Sequence, residues 1–293
     1  MNASISTSTH GNALPEPHKR RLQAHFAFTR IPFRKAMFAQ EMFDSRSQRD
    51  LLHGLQYWTE VRGLALVTGP SGVGKSITLR RFTQGLDESR NRVVHLTHVP
   101  TTALGFLRSL NRVLGLPMRM HASDLFDQAQ AHLTAHGDDA GPHPVLVFDD
   151  AEGVRPELLD ILRRLTAYAL DSEDRFSVLI TGTDALLRTF KDPSLEPFLT
   201  RINFAYALKP FTLEDTRHYV AFQLQRAGAK DRLFSDDAVR RIFQASQGTP
   251  RRINQVALHA LIQAAVLGHD TVTGDFLQNQ LAAHPLYDTA GGT

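Results

Sequence analysis

The sequence predicts an α/β fold, in which a parallel five-stranded sheet is flanked by helices and followed by a small all-helical domain. Short apolar runs alternate with helix-type segments as far as Pro210. That alternation is typical of parallel strands joined by crossover helices. The first apolar run leads directly into a glycine-rich loop. From Thr212 onward the strand-type runs stop and only helical periodicity remains.

The apolar periodicity assigns each element a range. The predicted strands are 64–68, 92–97, 145–148, 177–180 and 204–208. The predicted helices are 47–61, one from Ser76, 103–114, 123–136 with Ser123 as its N-cap, 156–170, 214–227, 236–246, 250–267 and one from about 273. These elements divide the chain into a disordered tail (1–24), a nucleotide-binding core (25–210), a helical domain (211–283) and a flexible tail (284–293).

The glycine-rich loop has the pattern of a phosphate-binding loop, which is glycine, four residues, then Gly-Lys-Ser/Thr. Its glycines let backbone N–H groups approach a polyphosphate, and the helix that follows adds the positive end of its dipole. Lys75 would reach the β and γ phosphates, and the Ser76 hydroxyl would ligate Mg²⁺. A chance match is expected roughly once in a hundred chains of this length, so we interpret the loop as an ATP site. The predicted contacts are Gly69, Pro70, Ser71, Gly72, Val73, Gly74, Lys75, Ser76 and Ile77.

Two acids follow the apolar run 145–148 and supply the second half of this predicted site. Asp149 would hold Mg²⁺, and Asp150 would polarise the attacking water. Asp150 is one methylene shorter than glutamate, and Glu152 is an alternative base. Both aspartates would otherwise only cap the next helix.

Hydroxyls and guanidinium groups at element boundaries complete the candidates. Thr181 or Thr183, at the end of the fourth run, would hold the water or sense the γ-phosphate, or would only cap a helix. Arg201 precedes the fifth strand, and Arg251 opens a helix in the C-terminal part. A guanidinium that reaches the γ-phosphate stabilises transition-state charge, whereas each arginine alone is also consistent with a solvated surface residue.

Composition excludes several classes of protein. The 293 residues include no cysteine, so disulfides and thiolate metal sites are excluded and a reducing cytoplasm is the expected location. No apolar run is long enough to cross a bilayer, and no membrane partner is expected. The net charge of +3 permits nucleic-acid binding without requiring it.

In their order along the chain, these pieces resemble an AAA+ ATPase of the branch that holds the ExeA-type secretion ATPases and the transposition regulators TnsC, TniB and MuB. The resemblance extends from about Phe26 to Leu267. Beyond the phosphate loop it depends on three motifs: Phe26–Phe33 followed by Met42-Phe43, Asp149-Asp150-Ala151, and Gly248-x-Pro250-Arg251-x-Ile253-Asn254.

The resemblance implies roles for individual residues. It makes Arg251 a sensor of its own subunit's nucleotide and Arg201 a finger presented to a neighbouring subunit's ATP. It places Pro32 and Phe33 in the adenine pocket. The family usually has glutamate where this chain has Asp150, so nucleotide binding is implied more firmly than rapid hydrolysis. It also implies a homo-oligomer, as a ring or filament, that assembles on ATP.

Three functions fit this resemblance. The first is a transposition accessory ATPase that binds duplex DNA without sequence readout and recruits or activates a transposase. The second is a secretion-type ATPase, and the third is a nucleotide-gated scaffold with weak hydrolysis. The sequence favours the first, because secretion-type members usually continue into a membrane segment and a cell-wall-binding domain, and neither is found here. The candidate DNA contacts are Arg80, Arg81, Arg108, Arg112 and Arg119.

Overall fold

The structure, a computed structural model, describes residues 16–34, 42–96, 100–135, 141–167 and 174–282. The chain divides into two compact units. The first, called the sheet unit below, is residues 36–210. The second, called the helical unit, combines residues 1–35 with 211–293.

The sheet unit contains five parallel strands in the order β2-β3-β4-β1-β5. The parallel five-stranded sheet predicted from the sequence is therefore confirmed. β1, β3 and β4 are buried along almost their whole length, whereas the edge strands β2 and β5 alternate between more and less exposed residues. This difference explains why the central strands are continuous apolar runs. The strands are β1 (Leu64–Thr68), β2 (Asn91–Leu96), β3 (His143–Phe148), β4 (Ser177–Gly182) and β5 (Ile202–Ala207).

Helices cover both faces of this sheet. The core on one face includes apolar side chains of α4, α5 and α6. The core on the other face includes side chains of α2 and α3, with Trp58 fully buried. The helices of this unit, numbered along the whole chain, are α2 (Arg46–Val61), α3 (Lys75–Gln84), α4 (Ala103–Val113), α5 (Ala122–Thr134), α6 (Pro156–Thr166), α7 (Asp184–Thr189) and α8 (Glu196–Leu199).

Two helix starts show how local chemistry sets these bounds. α2 begins after Ser45, whose hydroxyl accepts a hydrogen bond from the Gln48 N–H in a capping box. α5 begins one residue earlier than the sequence predicts, with His121 at the N-cap position. Ser123 is therefore inside the first turn, where its hydroxyl donates to Asp124, and the prediction that Ser123 caps this helix is wrong.

The helical unit contains the last helix-only stretch and one helix from the start of the chain. Phe33 is buried here against Phe234, in a T-shaped contact with a centroid separation of 6.3 Å. The sequence analysis assigns residues 25–35 to the nucleotide-binding core. In the structure they belong to the helical unit, with the helices after Phe211. The helices are α1 (Glu16–Phe26), α9 (Leu213–Arg226), α10 (Asp236–Ser246), α11 (Pro250–Leu267) and α12 (Gly274–Ala282).

Helix α1 corrects the prediction of a disordered tail up to residue 24. Leu22 is fully buried, and the Arg21 guanidinium donates to the carbonyls of Ala265 and Val266 at the end of α11. A cation there satisfies carbonyl groups that lack partners in the last helical turn. Because this segment is mostly polar, its one buried leucine and its capping arginine could not be recognised from the sequence. The predicted tails 1–15 and 284–293 lie outside the described residues.

The packing of α1 can be tested by truncating its buried leucine. Leu22→Ala is expected to lower the free energy of unfolding by about 2–5 kcal/mol, because a large side chain is removed from a filled site. The control is Arg20→Ala, at an exposed position of the same helix, which should cost less than about 0.5 kcal/mol. The measurement is urea unfolding followed by far-UV circular dichroism. Equal stability of the two variants would show that α1 does not pack.

Candidate nucleotide-binding site

The order of the strands brings the two predicted halves of the site to one edge of the sheet. β4 pairs with both β1 and β3. The register sets Val67 of β1 opposite Thr181 and Phe148 of β3 opposite Ile180. Because the strands are parallel, the loop after β1 and the acids after β3 leave the same edge, on either side of the end of β4. A crevice at the carboxyl edge of such a sheet is where α/β proteins bind ligands.

The phosphate-binding loop starts in close contact with the end of β5. The backbone N–H of Leu208 donates to the Thr68 carbonyl at 2.8 Å. Gly69 has φ +150°, and a Cβ at this position would lie 2.5 Å from the carbonyl oxygen of Leu208. No other residue type fits there without moving the strand end, so packing alone requires the first glycine of the motif.

The loop ends where α3 begins. Gly74 is the N-cap of this helix and has φ +114°, and no side chain caps the helix. The first N–H groups of a helix have no partners within it, and those of α3 are therefore available to an anion. Ser76, at the second helical position, is exposed. Its hydroxyl and the Asp149 carboxylate are oxygen donors of the type that Mg²⁺ prefers.

Lys75 lies across its own loop. The ammonium group donates to the carbonyl of Gly69 at 2.7 Å and to that of Pro70 at 3.2 Å. Only 7% of the residue is exposed. These contacts hold the positive charge of Lys75 at the loop, where it would favour an anion.

The end of β4 holds the acidic pair in place. The Thr181 hydroxyl donates to Asp149 Oδ1 at 2.7 Å and accepts from the Asp150 N–H at 3.1 Å. The Ala151 N–H donates to the Thr181 carbonyl at 2.7 Å. Thr181 itself is fully buried. The structure therefore shows Thr181 acting on the acids, whereas the predicted contact with nucleotide or water stays a prediction.

Asp150 has a backbone conformation that is uncommon for a residue with a side chain, with φ +61°. Aspartate and asparagine adopt this left-handed conformation more readily than most residues. Aspartate at position 150 is therefore compatible with this turn. Asp150 and Glu152 are both exposed. Thr183 is the N-cap of α7, accepting from the Ala185 N–H at 3.3 Å, as the capping alternative predicted.

The guanidinium of Arg201 contacts the end of α6 within the same unit. It donates to the carbonyl of Arg163 at 3.2 Å and to the hydroxyl of Thr166 at 3.1 Å. A cation at a helix C-terminus is favourable in its own right. This contact explains the position of Arg201 inside one protomer, and its action on a neighbouring subunit stays a prediction.

Arg251 belongs to the helical unit, in a motif whose other members have structural roles. Gly248 has φ +67°, and a Cβ there would collide with the Phe211 carbonyl. Asn254 accepts a hydrogen bond from the Tyr219 hydroxyl at 2.8 Å, and burial raises the pKa of that hydroxyl. Arg251 is exposed in the first turn of α11.

Pro32 and Phe33 are buried in this helical unit. Their predicted role in the adenine pocket, like the sensor role of Arg251, stays a prediction.

Sequence reasoning missed Gln48 of α2. Its side chain is 3% exposed and lies against Gly74 of the phosphate loop. The available signal was the Ser-x-x-Gln capping pattern at the start of α2.

Two features are absent from the residues that the structure describes. Across those residues, no cluster of three or more His, Asp or Glu side chains is placed to hold a metal ion. Within the same ranges, no helix combines the length and apolar character needed to cross a bilayer.

Comparison with known proteins finds a family match within the sheet unit. Residues 59–190 match the family described as AAA domain. The chain is 30% identical over 254 residues to the "General secretion pathway protein A" of Aeromonas hydrophila. The match covers 85% of this chain and 46% of that protein, so the chain spans about half the length of this curated relative.

Solved structures with the same fold include Cdc6p from Pyrobaculum aerophilum, with a TM-score of 0.61 and 19% identity over 89% of this chain and 70% of that one. The RuvB Holliday junction branch migration motor of Thermotoga maritima has a TM-score of 0.52 and 15% identity over 86% and 72%. At these identities the likeness shows the fold alone. Residues 59–190 are therefore similar to an AAA domain, and 85% of the chain is similar to part of the General secretion pathway protein A.

Proposed function

We propose that this protein binds ATP with Mg²⁺ and hydrolyses it to ADP and phosphate. The observation that carries the proposal is the hydrogen bond from Thr181 to Asp149, which holds an acid at the end of β4, the strand that pairs with the one leading into the phosphate-binding loop. The AAA-type match over residues 59–190 supports the same activity.

The residues of the loop and of the acidic pair divide the work of the proposed reaction. The N–H groups that open α3 bind phosphate oxygens, and Lys75 offsets the charge of the β and γ phosphates. Ser76 and Asp149 would hold Mg²⁺, which when bound neutralises charge on the phosphates. Asp150 accepts a proton from the attacking water or orients it. Arg201 and Arg251 are our candidates for reaching the γ-phosphate, Arg201 from a neighbouring subunit.

For the cellular role we propose a secretion-associated ATPase. The curated relative found over 85% of this chain has that name. The transposition role, which the sequence alone favoured, has no comparable relative in its support, and neither does a transposase partner. Assembly into a homo-oligomer on ATP belongs to the same proposal, since ATP shared between subunits would stabilise the oligomer that completes its site.

Duplex DNA binding is a second candidate, which the surface of α4 favours. Arg108 and Arg112 are both exposed and four residues apart on this helix, and Arg119 is exposed in the loop that follows. Arg80 is also exposed, whereas Arg81 is half-buried and forms an ion pair with Asp44 at 3.2 Å. Exposed arginines of this kind contact phosphates without reading sequence.

The proposed ATP site is tested by removing its lysine. Lys75→Ala is expected to weaken binding of Mg-ATP by about 10- to 100-fold, because a charge-assisted hydrogen bond contributes about 1.5–3 kcal/mol. The control is Lys191→Ala, an exposed lysine of the same unit, which should bind ATP like the unaltered protein. Binding is measured by isothermal titration calorimetry, and hydrolysis is measured by a phosphate-release assay. Failure of the unaltered protein to bind millimolar ATP would overturn the proposal.

The proposed base is tested by removing only its charge. Asp150→Asn should lower turnover by at least about 100-fold, in the range of general-base contributions, and leave the affinity for ATP within threefold. Asparagine tolerates the left-handed backbone as well as aspartate does, so the fold should be retained. The matched control is Glu152→Gln, which removes an exposed carboxylate two residues away. If Glu152→Gln loses turnover and Asp150→Asn keeps it, Glu152 is the base and Asp150 is not.

A third experiment separates the cellular candidates. Binding of a labelled random-sequence duplex is measured with ATP, ADP or no nucleotide across a salt series, with sedimentation of the same samples. For the secretion role we expect ATP-dependent assembly in sedimentation and no ATP-dependent binding of the duplex at physiological salt. Tight, salt-sensitive binding that appears only with ATP would favour the DNA role instead. In that case Arg108→Glu together with Arg112→Glu should abolish it.

A further inference from the structure

Gln48 joins the start of α2 to the phosphate-binding loop. Its carbonyl oxygen Oε1 accepts from the Ser45 N–H at 3.3 Å and from the Ser45 hydroxyl at 3.1 Å. Its backbone N–H donates to Ser45 Oγ at 3.3 Å. Both residues are buried. These contacts form the capping box of α2, and by themselves they would explain a glutamine at this position.

The capping box also fixes which way the side-chain amide points. A backbone N–H can only donate, so the group facing Ser45 N–H must be the oxygen of the amide. The amide nitrogen Nε2 therefore faces away from Ser45. It lies 3.0 Å from the place that a Cβ on Gly74 would occupy. The positive end of the amide dipole thus packs against the last glycine of the phosphate loop.

Gly74 is fixed from its other side as well. Its carbonyl accepts from the backbone N–H of Thr78 at 3.1 Å and from the Thr78 hydroxyl at 2.9 Å. Its φ of +114° is one that residues with side chains rarely adopt. Gly74, the residue that opens α3, therefore has two donors on its carbonyl, and the amide nitrogen of Gln48 occupies the space where its side chain would begin.

We propose that Gln48 is a positioning residue of the phosphate-binding loop. Its amide nitrogen holds Gly74 in the left-handed turn and keeps the region behind the loop free of negative charge. This inference rests on the proposed function, in which the loop binds a nucleoside triphosphate. The competing explanation is that Gln48 serves only the cap of α2.

Gln48→Glu separates these two explanations because it keeps the capping box of α2 and changes the charge beside the phosphate-binding loop. Glutamate forms a capping box as well as glutamine does. A carboxylate beside the N-terminus of a helix is favourable when no anion is bound. Because Gln48 is buried, its new charge also carries a desolvation cost, so the variant is expected to fold with a melting temperature at or below that of the unaltered protein. Once a polyphosphate occupies the loop, the carboxylate repels it.

The matched control is Ser45→Ala, which dismantles the cap and keeps the amide. It should lower the melting temperature, because an N-cap hydroxyl is lost. The Ser45 N–H still faces Oε1, so Nε2 remains at Gly74. The affinity for Mg-ATP should then stay within about twofold of that of the unaltered protein.

The experiment is calorimetric titration of the three full-length proteins with Mg-ATP and Mg-ADP at low and high salt, together with thermal unfolding without nucleotide. For Gln48→Glu we expect about tenfold weaker binding of ATP, a smaller loss for ADP, and a deficit that shrinks at high salt as charge repulsion is screened. ATP affinity equal to that of the unaltered protein would overturn the inference. Affinities that follow the melting temperatures across the three proteins would also overturn it. If the unaltered protein itself binds no ATP, the proposed function fails first.

Discussion

The hydroxyl of Thr181 holds the acidic half of the candidate site in place. It donates to Asp149 and accepts from the Asp150 N–H, so both acids depend on one fully buried side chain. This contact is possible only because β4 lies between β1 and β3 in the sheet. Any order that separated β3 from β4 would leave the Asp150 N–H without its partner and the carboxylate of Asp149 without its orientation. The strand order therefore determines whether the two acids are held in place.

The site holds two backbone conformations that residues with side chains rarely adopt, at Asp150 and Gly69, and buried contacts surround both. Asp150 is left-handed beside Thr181, and Gly69 is confined by the Leu208 carbonyl. A left-handed residue with a side chain costs about 1–2 kcal/mol, which two or three buried hydrogen bonds offset. The surrounding sheet over-determines these conformations, which is how strain persists at functional sites.

Much of the fold could be predicted because its signals are local. The run 64–68 and the glycine pattern after it specify a buried strand, a turn and a helix start within a few residues, and the strand is observed at the predicted residues. α1 could not be predicted, because its single buried leucine is recognisable only when α11 is beside it. Thr181 was recognised as a candidate from its place at a strand end. Its hydrogen bonds with Asp149 and Asp150 could not be predicted, because the register between β3 and β4 cannot be read from the sequence.

Gln48 shows why the remaining part of the site was beyond sequence reasoning. In the sequence it is one member of a capping box, 26 residues before Gly74, and local rules explain it completely. Only the packing of α2 on α3 brings its amide to the loop. One side chain then serves two purposes, since its oxygen stabilises a helix start and its nitrogen contacts the anion-binding turn. The hydrogen bond from the Ser45 N–H to Gln48 Oε1 sets the orientation of the amide. The side-chain torsion angle that orients this amide therefore links the stability of α2 to the electrostatics of the loop.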